Sequence, residues 1–169
     1  GRTYVTPQGK KYPSITTVLG VLSEDHIREW RARVGEAEAN RISSRASKRG
    51  GEVHGIMEKF IRNEELPRMM PHIQESFLQL KPIVTERLGK VFLQERPLYS
   101  DYLGVAGRVD LVAEFDGRRS IVDFKTSPRD KDEEDIHAYF MQEAAYAIMF
   151  EERTGVPVSQ LVTIMTIDG

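Results

Sequence analysis

The chain has no cysteine among its 169 residues. That absence excludes disulfides, thiolate zinc sites, iron–sulfur clusters and cysteine nucleophiles, which leaves Asp, Glu, His, Lys, Ser and Tyr to carry any chemistry. Long apolar runs are missing too. The longest, Ala144 to Phe150, falls far short of the ~20 residues of a membrane span, and no secretory-type apolar stretch stands near Gly1. The expectation is an intracellular protein with no membrane partner. Neither sign of charge dominates: the net charge of −2 gives little support for holding nucleic acid by bulk electrostatics alone.

What is present is ordinary globular material, 40% hydrophobic and 30% charged, long enough for one domain that buries roughly 70% of its unfolded surface. Charge is unevenly placed. From Arg28 to Arg49 seven basic residues stand against three acidic ones, whereas Asp130, Asp132, Glu133, Glu134 and Asp135 surround Lys131. Either run, taken alone, is equally well explained as a solvated face.

Periodicity divides the chain at Gly89. Before it, helical patterns prevail: a helix from about Ser14 behind Pro13, a second from Ser23 to Ala39, and a third near Asn40. The glycine pair Gly50-Gly51 reads as a break that opens another helix, with Val53, Ile56, Met57, Phe60 and Ile61 as its apolar stripe. A further helix follows from His72 to Leu88, across Pro82. After Gly89 the pattern is β. Val91 to Tyr99 crosses Pro97, which suggests an edge or a bulge. Gly104 to Phe115 and Arg118 to Thr126 flank Asp116-Gly117, a strong hairpin signal because both turn positions need positive φ. A helix from Ile136 to Arg153 and a strand from Val158 to Ile167 complete a single domain, with a helical part over 13–88 and a sheet over 89–169.

A two-residue turn at Asp116-Gly117 makes paired residue numbers sum to 233, and so sets Asp110 opposite Asp123. Facing carboxylates repel, and a sheet keeps such a pair where a cation offsets the charge. A hard divalent ion, Mg²⁺ or Mn²⁺, takes one carboxylate from each strand with a backbone carbonyl, that of Phe124, and waters. Lys125 shares the Asp123 face by period-two alternation and suits a role in orienting water or stabilising charge on a phosphate. Asp-x-Lys alone is better explained as a surface ion pair, and it is the opposed Asp110 with the hairpin arithmetic that brings the metal reading level with it. Gln142 and Tyr146 share a face of the last helix, where Tyr146 also suits a core. His54 and Glu58 form another i, i+4 pair, with His54 a candidate ligand and Glu58 its partner or a further ligand. Arg45, Lys48 and Arg49, beside the expected helix start at Gly50-Gly51, form a candidate phosphate-binding cluster.

Together, Gly107-Arg108-Val109-Asp110, Asp123-Phe124-Lys125, Gln142-x-x-x-Tyr146 and the helical His54 resemble the PD-(D/E)xK nuclease superfamily in its RecB-like exonuclease branch. Pro13-Ser14-Ile15-Thr16 and Gly51-Glu52-Val53-His54 are similar to the corresponding segments of phage and mitochondrial genome-maintenance exonucleases. The resemblance implies an α/β restriction-endonuclease-like αβββαβ core with a mixed sheet. It implies metal ligands at Asp110, Asp123, His54 and the Phe124 carbonyl, catalytic roles for Lys125, Gln142 and Tyr146, and one or two Mg²⁺ or Mn²⁺ ions. The implied substrate is DNA, single-stranded or at ends, with Arg108 beside it and replication or recombination proteins as partners. The implied setting is the cytoplasm, a phage-infected host cell or the mitochondrial matrix. A non-cleaving nucleic-acid-binding module and an endonuclease are the alternatives.

Overall fold

A computed structural model describes residues 1–127 and 133–167. Asp130, Lys131 and Asp132 of the acidic run lie outside the described residues. In chain order the elements are β1 (Thr3–Val5), β2 (Lys11–Pro13), α1 (Ile15–Leu22), α2 (Glu24–Val34), α3 (Glu36–Ile61), α4 (Pro71–Arg87), β3 (Leu88–Ser100), β4 (Val105–Phe115), β5 (Arg118–Ser127), α5 (Glu133–Thr154) and β6 (Gln160–Ile167). β1 and β2 form a hairpin, and the other four strands form one sheet in the order β3-β4-β5-β6. β3–β4 and β4–β5 are antiparallel. β5 and β6 start side by side, with the Ser159 N–H donating to the Arg119 carbonyl and the Gln160 amide donating to Ser120 Oγ. Neighbouring strands that start together run the same way, so β6 is parallel to β5 and α5 is the crossover. This is the expected mixed-sheet α/β core.

The chain forms two compact units. The first gathers 1–22, 87–123 and 133–163, the second 23–86, 124–127 and 164–167. In the first, Val109, Val112 and Ile121 from the strands pack with Ala145, Tyr146, Met149 and Phe150 of α5 and Ile15 of α1. The α5 spacing is one helix face, and burying each large apolar side chain contributes roughly 1.5–3 kcal/mol. Ser14 starts α1: its Oγ accepts the Thr17 N–H at 3.1 Å and its carbonyl accepts the Val18 N–H. The β4–β5 turn is fixed from outside itself, because Arg87 donates through Nε and Nη2 to the Asp116 carboxylate and its carbonyl accepts the Asp116 N–H. The guanidinium holds the Asp116 carboxyl below its usual range.

In the second unit, α3 and α4 bury Val53, Ile56 and Met57 with Ile73, Phe77, Leu80 and Val84, and the Phe60 and Phe77 rings meet edge to face at 5.3 Å. The expected helix boundaries need correction here. The break falls at Gly35, with φ at 91°, where the N–H closes α2 on Arg31 and the carbonyl opens α3 on Ala39. Gly50 and Gly51 start nothing: α3 runs straight through them for 26 residues. Helix-interior glycine costs about 1 kcal/mol relative to alanine, and the buried stripe from Val53 onward outweighs that cost.

Candidate active site

The site is built on the β4–β5 hairpin. Asp116 and Gly117 take φ of 54° and 79°, and the pairs run from Phe115↔Arg118 to Leu111↔Val122, all on the expected register. Asp110 and Asp123 are the residues next to the Leu111↔Val122 pair on their two strands. Asp123 is 4% exposed and Asp110 is half-buried. Both interrupt apolar sequence, for Val109, Leu111, Val122 and Phe124 beside them are buried.

Glu95, in β3, is the residue that sequence reasoning missed. The pairs Gln94↔Leu111 and Arg96↔Val109 bracket it, so it stands at the level of Asp110, and the two carboxylates come within 4.8 Å of each other. Its φ of 50° is a left-handed conformation that costs a non-glycine residue roughly 1–2 kcal/mol, and strain of that kind gathers at functional sites. The signal available in the sequence was an acid between apolar Val91-Phe92-Leu93 and Pro97. Arg108, a candidate DNA contact, donates through Nε to Glu95 at 3.1 Å.

Tyr146 lies beside this acidic group. Gly107 makes room for it: a β-carbon there would fall 2.7 Å from Tyr146 Oη, 2.9 Å from its Cε1 and 3.2 Å from Ile15 Cγ2. Gly107→Ala is therefore expected to lower stability by about 1–3 kcal/mol, read as a lower denaturant midpoint, with Tyr146→Leu restoring part of the loss. Burial pushes the Tyr146 phenol well up, the hydrogen bond with Gln142 opposes that shift, and the charges of Asp123 and Asp110 add to it. The folded phenol thus keeps its proton above its ordinary value of 10.0, where the unfolded chain loses it. Stability from this group is complete below about pH 10 and is lost progressively above it. In Tyr146→Phe that alkaline component is expected to vanish from the pH dependence of the unfolding free energy, and an unchanged alkaline slope would refute it.

In the second unit His54, half-buried on α3, has Nε2 2.6 Å from the Phe124 carbonyl oxygen, and Phe124 is peptide-bonded to Asp123. This is hydrogen-bond spacing with the carbonyl accepting; two ligands of one octahedral ion with ~2.1 Å bonds would stand roughly 3 Å apart. Lys125 follows on β5, two residues beyond Asp123 and half-buried. Glu58 is turned to Arg62 at 2.9 Å. Arg49 donates to Ser76 Oγ at 2.7 Å, and Arg45 and Lys48 are exposed. With no helix start at Gly50-Gly51, the argument from free N–H groups and a helix dipole beside these three cations falls.

The sequence model of the PD-(D/E)XK nuclease superfamily matches residues 68–165, more than half of the chain. The chain belongs to the PD-(D/E)XK nuclease superfamily. Comparison with curated proteins finds no match. The matched span contains Glu95, Asp110, Asp123, Lys125, Gln142 and Tyr146, and lies downstream of His54 and the basic residues of α3. PD-(D/E)XK enzymes are generally nucleases that use divalent metals, and the carboxylate oxygens that Asp110 and Glu95 bring together on adjacent strands are donors of the type such an ion takes. No helix among the described residues is long and apolar enough to cross a membrane.

Proposed function

We propose that this chain is a divalent-metal-dependent exonuclease of the RecB-like branch, similar to phage and mitochondrial genome-maintenance exonucleases, that hydrolyses phosphodiester bonds of single-stranded DNA or DNA ends. The observation that carries the reading is the approach of the Glu95 and Asp110 carboxylates to within 4.8 Å across β3 and β4, with Asp123 and Lys125 on the neighbouring strand β5. The hydrogen-bonded Gln142 and Tyr146 on α5 support the branch.

Mg²⁺ or Mn²⁺, as one or two ions, supplies Lewis acidity at a phosphoryl oxygen when bound. Asp110, Asp123 and Glu95 would hold it, and the resemblance assigns His54 and the Phe124 carbonyl to the same task. Lys125 orients the attacking water and stabilises negative charge growing on the scissile phosphate. Tyr146 remains a phenol, which makes it a hydrogen-bond donor and unfit as a base, and Gln142 fixes its hydroxyl. Arg108, Arg45, Lys48 and Arg49 attract phosphates. A DNA substrate sets this work inside a cell, in a bacterial cytoplasm, a phage-infected host or the mitochondrial matrix, beside replication or recombination proteins.

The test is a gel assay on end-labelled linear and on circular single-stranded DNA, with Mg²⁺, Mn²⁺ or chelator. Metal-dependent loss of linear strands with circles intact is the expected result. Cut circles would make the protein an endonuclease, and binding without cutting would make it a nucleic-acid-binding module.

A further inference from the structure

Gly51 and Gly55 stand inside α3, where glycine weakens a helix, and packing does not account for them. A β-carbon at either would meet no atom within 4 Å. What they leave is a bare backbone floor in a cavity of about 270 Å³ between α3 and the segment leading into α4, walled by Ile56, Met69, Met70 and Ile73 with Lys59 and Arg68 on its rim. Lys59 and Arg68 are exposed. Such an open groove lies near the lower end of small-molecule sites, roughly 300 Å³. Apolar walls with cations at the edge suit a guest that is apolar in the middle and anionic at its ends. The same helix face continues through Lys48 and Arg45, three- and four-residue steps from Glu52, and both are exposed. The cavity therefore opens onto a cationic track matched to repeating phosphates. Glu52 also lines it and suits the amino group of a base, as carboxylates do with cytosine N4.

We propose that this groove holds one base of a single-stranded nucleic acid, with Lys48, Lys59 and Arg68 on the flanking phosphates. The inference rests on the nuclease reading and adds a substrate-binding subsite on the helix that carries His54.

The test measures binding of a short fluorescein-labelled single-stranded oligodeoxynucleotide to the full chain by anisotropy in chelator, with Mn²⁺-dependent cleavage of the same strand followed in parallel. Gly55→Leu fills the cavity while replacing a poor helix former with a good one. Its melting temperature is expected to hold or rise, and its affinity to fall about tenfold, roughly the effect of one lost base contact. Lys59→Ala/Arg68→Ala, at two exposed positions, is expected to reduce the slope of log K against log salt by roughly 1.4, or ~0.7 per lost phosphate. A wild type that binds and cleaves, with both variants binding like it, overturns the groove and leaves the nuclease reading standing. That is also the outcome if an acidic peptide is the true occupant. A wild type that neither binds nor cleaves overturns both. Should Gly55→Leu lose stability, the double variant decides alone.

Discussion

Asp123→Asn is expected to abolish metal-dependent phosphodiester cleavage, a loss of several orders of magnitude, while the fold keeps or gains stability. The carboxylate is buried, so the protein spends folding free energy to keep its charge out of water. Asparagine keeps the shape and removes one charge. Relief of about 1 kcal/mol would raise the melting temperature of a chain this size by about 2–4 °C. Asp110→Asn should behave similarly, with a smaller rise because Asp110 is less buried. Calorimetric titration with Mn²⁺ should find binding weakened in both. Cleavage within tenfold of wild type in either variant would remove that residue from the metal site.

Lys125→Ala separates chemistry from binding. Lys125 follows Asp123 by two residues on β5, which strand alternation sets on the same face, and the proposed function gives it the water and the phosphate. Turnover is expected to fall by about 10²–10⁴-fold, the ordinary range for a lost proton-transfer or charge-stabilising group. Mn²⁺ and oligonucleotide affinity should stay near wild type. Equal losses of affinity and turnover would show Lys125 to be a binding residue, and an unchanged kcat would leave activation of the water to the metal alone.

The hairpin was legible because local chemistry decides it. Asp116-Gly117 accepts positive φ at both positions, and a two-residue turn then dictates every pair from Phe115↔Arg118 to Leu111↔Val122. The expected facing of Asp110 and Asp123 extends the same arithmetic one residue past Leu111↔Val122. Glu95 was not legible in this way, because its level opposite Asp110 depends on register shifts between Leu88 and Leu93 in β3, which no local pattern encodes. Gly50-Gly51 misled for the opposite reason: glycine is a local signal, and tertiary burial of Val53, Ile56 and Met57 overrides it. The real break, at Gly35, had the same composition cue and no apolar stripe to cross it.

The irregularity that brings Glu95 level with Asp110 also governs how the molecule meets others of its kind. β3 is an outer strand of the sheet, 13 residues long, and a straight strand of that length would offer a row of free amide and carbonyl groups as a template for aggregation. Here the row is broken by two register shifts, by the left-handed turn of the backbone at Glu95 and by Pro97, which has no N–H to give. An incoming strand can match only short stretches of it. The deformation that shapes the acidic site thereby also protects the sheet against edge-to-edge association and fibril growth.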